Sequence, residues 1–213
     1  MHQHPSPNSG PRKNGLTPEI IVIHYTAMQS AGAALQRLCD PVAEVSAHYL
    51  IDRQGRVTQM VPEEQRAWHA GQGEWHGQDD INSRSVGIEL DNTGAHPFPE
   101  PQMAALERLI RAIMHRWDIP PQNVIGHSDM APGRKQDPGP RFDWARLAMQ
   151  GLAQPAAVTA HPAAPTADRF RARAKKAGFS APVDDETLLR AVRLRFRPWA
   201  TGPLAPEDLS VLG

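Results

Sequence analysis

Residues 19–24 read EIIVIH and residues 85–92 read SVGIELDN. The first is an unbroken run of mostly branched apolar residues, the pattern of a buried strand. The second is also strand-like, but it carries a carboxylate, Glu89, among Val86, Ile88 and Leu90. A third short run, residues 123–127, ends like the first on a histidine. Between them lie helical patterns. Residues 31–38 form one, and over residues 101–117 Met103, Leu106, Ile110, Ile113, Met114 and Trp117 recur at helical spacing, which marks them as core. Residues 46–52 and 56–61 predict two strands joined by the polar turn Arg53-Gln54-Gly55. Strands interleaved with helices and one hairpin predict an α/β domain, a mixed central β-sheet flanked by helices.

Composition narrows the class. Hydrophobic residues make up 40% of the 213 and charged residues 22%, ordinary for a soluble globular chain. Lys+Arg and Asp+Glu both number 23, so the basic excess expected of a nucleic-acid or membrane-surface binder is absent. No apolar run approaches the ~20 residues of a membrane span. Cys39 is the only cysteine, which excludes an internal disulfide. The chain is expected to be a monomer.

Residues 1–18, polar and containing Pro and Gly, are expected to be a flexible lead-in with no apolar signal core. That start suits a cytoplasmic protein, or a periplasmic or envelope protein whose signal has been removed. Residues 19–152 form the expected main domain. Within it, residues 62–84 carry Trp68, His69, Trp75 and several glycines without periodicity, as a long functional loop would. Residues 142–152 are expected to be helical. Residues 153–167 (AQPAAVTAHPAAPTA) read as a Pro/Ala linker. Residues 168–178, 184–196 and 206–212 then predict three short helices, a piece small enough to depend on packing against the main domain.

Chemistry concentrates at strand ends. His24 closes the first strand. His127 closes the third and opens HSDMAPGRKQDPGP, a Pro/Gly-pinned loop that contains Lys135 and Asp137. Two histidines and a carboxylate suit an open catalytic zinc site, which leaves one position for water. A solvated loop with outward-pointing Lys and Asp fits the same spacing equally well. Glu89 favours the metal site, because a carboxylate in an apolar strand needs a reason to be there. Beside a metal it would take a proton from water, and Lys135 would stabilise the oxyanion that develops.

Five motifs stand in order: IVIHYTA, SAHYLID, RAWHAG, NSRSVGIELDN and GHSDMAPGRKQDPGP. With them, residues 20–142 resemble the type-2 zinc N-acetylmuramoyl-L-alanine amidases, the AmiD/AmpD group, which are related to phage lysozyme-type amidases and animal peptidoglycan recognition proteins. The resemblance implies zinc (Zn2+) held by His24, His127 and Asp137, Glu89 as general base and then acid, and Lys135 assisting at the oxyanion. It implies hydrolysis of the amide between the muramic-acid lactyl group and L-Ala in peptidoglycan. Partners would be peptidoglycan fragments or murein, with no nucleic acid. Trp68 and His69 are expected to line the cleft, and Asn82 and Arg134 to hold the stem peptide. His48 follows the family pattern and also suits a structural role. Some relatives use Cys as third ligand; here Asp137 takes that place. A non-catalytic muropeptide-binding module is the alternative, against which the complete ligand set speaks.

The C-terminal helices resemble the small peptidoglycan-binding domain of AmiD-type amidases. They depart from it where Leu194-Arg195 replaces the usual Phe-Gln pair.

Overall fold

The structure, a computed structural model, describes residues 1–157 and 164–213. Among the described residues, eight strands and eight α-helices follow one another. The first half runs β1 (His2–Gln3), β2 (Ser9–Pro11), β3 (Ile20–Tyr25), α1 (Ala31–Cys39), β4 (Tyr49–Ile51), β5 (Val57–Gln59), β6 (Gln65–Ala67), α2 (Ile81–Arg84) and β7 (Ser85–Leu90). The second runs α3 (Glu100–Trp117), β8 (Val124–Gly126), α4 (His127–Met130), α5 (Trp144–Met149), α6 (Ala167–Lys176), α7 (Asp185–Phe196) and α8 (Pro206–Ser210). Among the described residues no helix is long and apolar enough to cross a membrane.

Six strands form one sheet in the order β1-β5-β4-β7-β3-β8. Its centre, β4-β7-β3-β8, is parallel, and β5 turns back against β4 as the expected hairpin. The mixed α/β fold is thus as the alternation of elements indicated. Strand periodicity then divides each strand between two layers. Ile21 and Ile23 of β3, with Val86, Ile88 and Leu90 of β7, face α3 and pack on Met103, Leu106, Ile110 and Ile113. α3 ends where Asp118 turns left-handed at φ 54°.

The opposite face is shared. At the β4 side, Leu50 packs on Ala34 and Leu38 of α1. At the β3–β8 side, Ile20, Val22 and Ile125 pack on Phe170, Leu188, Val192 and Leu209 of the last three helices. These helices therefore complete the sandwich, as their thin core suggested. Residues 158–163 of the expected linker lie outside the described residues; at its start, Leu152 and Ala153 are buried in the α3 layer.

The expectation of a flexible lead-in is corrected. β1 pairs with β5 and β2 with β6. Asn8 is buried, donating through Nδ2 to Asp40 O and Val45 O. The Arg12 guanidinium donates to the carbonyls of Glu63, Ser83 and Ser85. Polar residues order this segment by satisfying backbone groups elsewhere, a signal that composition does not carry. β6 and α2 likewise interrupt the expected loop 62–84.

Candidate active site

Strand register builds the site. In the parallel pair β3–β7, His24 stands opposite Glu89, so the two side chains are neighbours on one face. In the pair β3–β8, Ile23 stands opposite Gly126, and His127 follows at once. Three adjacent parallel strands thus deliver His24, Glu89 and His127 at their C-terminal ends, where α/β sheets commonly place ligands. The loop after α4 returns Asp137 to the same point, and Ser128 N donates to Asp137 O.

His24 Nδ1, His127 Nδ1 and Asp137 Oδ2 converge. His24 Nδ1 lies 2.9 Å from His127 Nδ1 and 2.8 Å from Asp137 Oδ2, and the third side of the triangle is 3.0 Å. Proton accounting shows what these atoms present. His127 Nε2 lies 2.8 Å from Ala70 O and must donate to it, so Nδ1 of a neutral ring carries a lone pair. The His24 tautomer is set through two more residues. The Ser85 hydroxyl donates to Ile81 O at 2.6 Å, so its oxygen accepts from His69 Nε2 at 3.1 Å. His69 Nδ1 is then an acceptor for His24 Nε2 at 3.0 Å, and His24 Nδ1 is left with its lone pair inward. Burial, with His127 nearby, lowers the His24 pKa to about 4, so the ring is neutral. Burial, with His24 and His48 nearby, pushes His69 well below its ordinary value too.

Three acceptors crowded this closely repel one another unless a cation sits among them. Their separations suit ligands ~2 Å from a single ion, and a neutral His-His-carboxylate set suits a divalent metal. His24, His127 and Asp137 are all buried and form the candidate metal centre among the described residues.

Glu89 lies beside this centre. Its Oε2 is buried and has no hydrogen-bond partner. Burial first, and the Asp137 charge second, raise its pKa to about 8, while Lys135 opposes the rise. Without a metal the carboxyl is therefore held protonated, and a cation among the three neighbouring acceptors favours the ionised, proton-accepting form. Glu89, Lys135 and the three candidate ligands line a single cavity of about 550 Å³.

The remaining expected site residues divide. Trp68 and Arg134 line the cavity, and Arg134 Nη2 also donates to Ala70 O and Gln72 O. His69 lines the cavity with both ring nitrogens engaged by His24 and Ser85, so it orients the candidate ligand His24. Asn82 is not in the cavity wall; its Oδ1 accepts from the amides of His69 and Ala70 and holds that turn. His69 thus lines the cavity as expected, whereas the expectation that Asn82 faces the substrate is corrected, because it lies behind the wall. His48 is structural: Nδ1 accepts from Gly87 N at 2.9 Å and Nε2 donates to Gln65 O at 3.1 Å. Ser85 also belongs to the His24 support, and Tyr25, Arg37 and Gln136 to the cavity wall, none of them marked by the sequence. Residue type alone does not distinguish these from ordinary surface or strand positions. Cys39, at the end of α1, is near His4 O and outside the metal trio.

Comparison with known proteins agrees with this geometry. Residues 14–140 match the family model described as N-acetylmuramoyl-L-alanine amidase. The chain belongs to the N-acetylmuramoyl-L-alanine amidase family. Within this amidase family it is 41% identical over 150 residues to the N-acetylmuramoyl-L-alanine amidase AmiD of Escherichia coli K12, covering 63% of this chain and 53% of AmiD. The match therefore spans about half the length of that relative. It is 37% identical over 160 residues to the 1,6-anhydro-N-acetylmuramyl-L-alanine amidase AmpD of the same strain, 67% of this chain and 87% of AmpD. The solved structure of E. coli AmiD with anhydro-N-acetylmuramic acid-L-Ala-D-gamma-Glu-L-Lys superposes with a TM-score of 0.83 at 32% identity, covering 92% of this chain and 87% of that one. This family is metal-dependent, and the centre at His24, His127 and Asp137 fits that chemistry.

Proposed function

We propose that this chain is a zinc-dependent amidase that hydrolyses the bond between the N-acetylmuramic (or anhydro-muramic) lactyl carbonyl and L-Ala of the peptidoglycan stem peptide. The observation that carries the proposal is the convergence of three lone pairs beside a buried, unpartnered carboxyl in an open cavity. His24, His127 and Asp137 would hold the zinc. When bound, zinc supplies a Lewis acid that polarises a carbonyl oxygen and acidifies water. Glu89 accepts the proton of the attacking water and later delivers it to the departing L-Ala amine. Lys135 places its ammonium on the same cavity wall, where it offsets the negative charge that grows on the lactyl oxygen as the tetrahedral intermediate forms. Trp68 and Arg134 shape the wall against which sugar and stem peptide lie. Likeness to AmiD bound to its muropeptide supports peptidoglycan fragments as substrate.

The test is a chelation and zinc-rescue assay on purified muropeptides, read by mass spectrometry. The expected result is release of intact stem peptides headed by L-Ala, lost with chelator and restored by zinc. Stoichiometric zinc without release would favour a binding module. Cleavage inside the stem peptide would make the protein a different zinc hydrolase.

A further inference from the structure

The Arg195 side chain of α7 reaches out of the C-terminal helices to strand β8 and α4. It is 4% exposed. Nη1 donates to Asp129 Oδ2 at 2.7 Å, Nη2 donates to Val124 O at 3.1 Å, and the guanidinium lies 4.1 Å from the centre of the Trp144 ring. Asp129 is 1% exposed, and its Oδ2 also accepts from Gly126 N at 2.8 Å. Arg195 therefore grips both ends of strand β8, Val124 directly and Gly126 through Asp129. His127 is the next residue.

Docking of the C-terminal helices does not require this ion pair. Leu188, Leu189 and Val192 of α7 already bury themselves against the sheet and α4. Two charges taken this far from water are poor glue, since a well-packed apolar pair of similar volume commonly holds as well. What such a pair supplies that an apolar contact cannot is directed, charge-assisted geometry.

We infer that Arg195 is a positioning residue for the metal centre, setting the placement of His127 from the C-terminal helices through Asp129 and β8. This rests on the zinc-amidase proposal above. α6–α8 are on this account part of the catalytic architecture, whatever else they bind.

The experiment measures zinc dissociation constants of the full chain by competition with a chromophoric chelator, for wild type, Arg195→Gln and Arg195→Lys. Thermal melts in chelator establish that each variant is folded. Arg195→Gln is expected to weaken zinc binding about tenfold, the low end of what loss of a direct partner of a metal ligand does, because Arg195 acts on His127 only through Asp129 and β8. At saturating zinc its kcat should fall while KM stays within about twofold. Arg195→Lys keeps the charge but loses the fork that serves Asp129 and Val124 together, so it should recover the affinity only in part. A folded Arg195→Gln with wild-type zinc affinity would reduce Arg195 to a packing contact and overturn the inference. Should that variant not melt cooperatively, Arg195→Lys decides: several-fold weaker zinc binding supports the inference, and unchanged affinity overturns it. Wild-type protein that binds no zinc would remove the metal proposal itself, an outcome separate from any difference between variants.

Discussion

Glu89 occupies a position that an apolar side chain would fill at no cost, and that cost has a measurable signature. With its pKa raised from 4.5 to about 8 by burial and by Asp137, the folded protein holds a proton that the unfolded chain has released. The stability associated with this group is full below about pH 4.5 and is lost as pH rises through about 8. Metal-free wild type should thus lose stability across that interval relative to Glu89→Gln, in urea melts at several pH values. A bound divalent cation favours the ionised carboxylate, so zinc should shrink the difference. Parallel slopes without metal would show that Glu89 is ionised in the folded protein. The same substitution should lower turnover by about 10²–10⁴-fold with zinc still bound; near-wild-type kcat would remove Glu89 from the mechanism. His69 belongs at this scale too. Because it accepts from His24 Nε2, His69→Ala should weaken zinc about 10–100-fold by freeing the His24 ring and its tautomer. An unchanged zinc constant in folded His69→Ala would mean that something else orients His24.

At the level of elements, β7 shows how a strand is shaped around the site. A Cβ built at Gly87 would lie 2.5 Å from His69 Cγ, closer than any real contact, so glycine is what lets the imidazole lie across the strand. Gly87→Ala must displace the ring, and the expected cost is ~1–3 kcal/mol of stability, as for other overpacked sites. Weaker zinc binding should accompany it. Unfolding midpoints and chelator competition together check this; a loss of stability with zinc affinity intact would confine the effect to packing. The glycine was visible in VGIEL, but the imidazole lies 18 residues away in RAWHAG and meets it only through folding. α3, in contrast, was legible almost to its ends, because an apolar set at helical spacing needs no distant partner to be understood.

For the molecule as a whole, the last three helices and the N-terminal residues are structural layers and not appendages. Ending the chain after Leu152 would bare Ile20, Val22 and Ile125, each worth ~1.5–3 kcal/mol when fully buried. Against the 5–15 kcal/mol typical of a folded domain, such a truncation should be aggregating or barely stable. Soluble expression with an undiminished melting temperature would contradict this. The order of the central elements β3, α1, β4, β5, β7, α3 and β8 and the helical core face were legible in the sequence itself, because periodicity is a local property, whereas β1, β2, β6, α2 and α4 were not. The motifs also named His24, His127, Asp137 and Glu89 as candidates, since each sits in a contiguous string, and the fold brings these four to one cavity. Only the tertiary structure decided that His69 and Asn82 support the site, that Arg12 and Asn8 tie down the N-terminus, and that Arg195 reaches the strand before His127. Each of these is a polar group satisfied by a partner far away in sequence. A hydrogen bond between distant residues leaves no periodic trace in either segment, so it can be read only once the chain has brought them together.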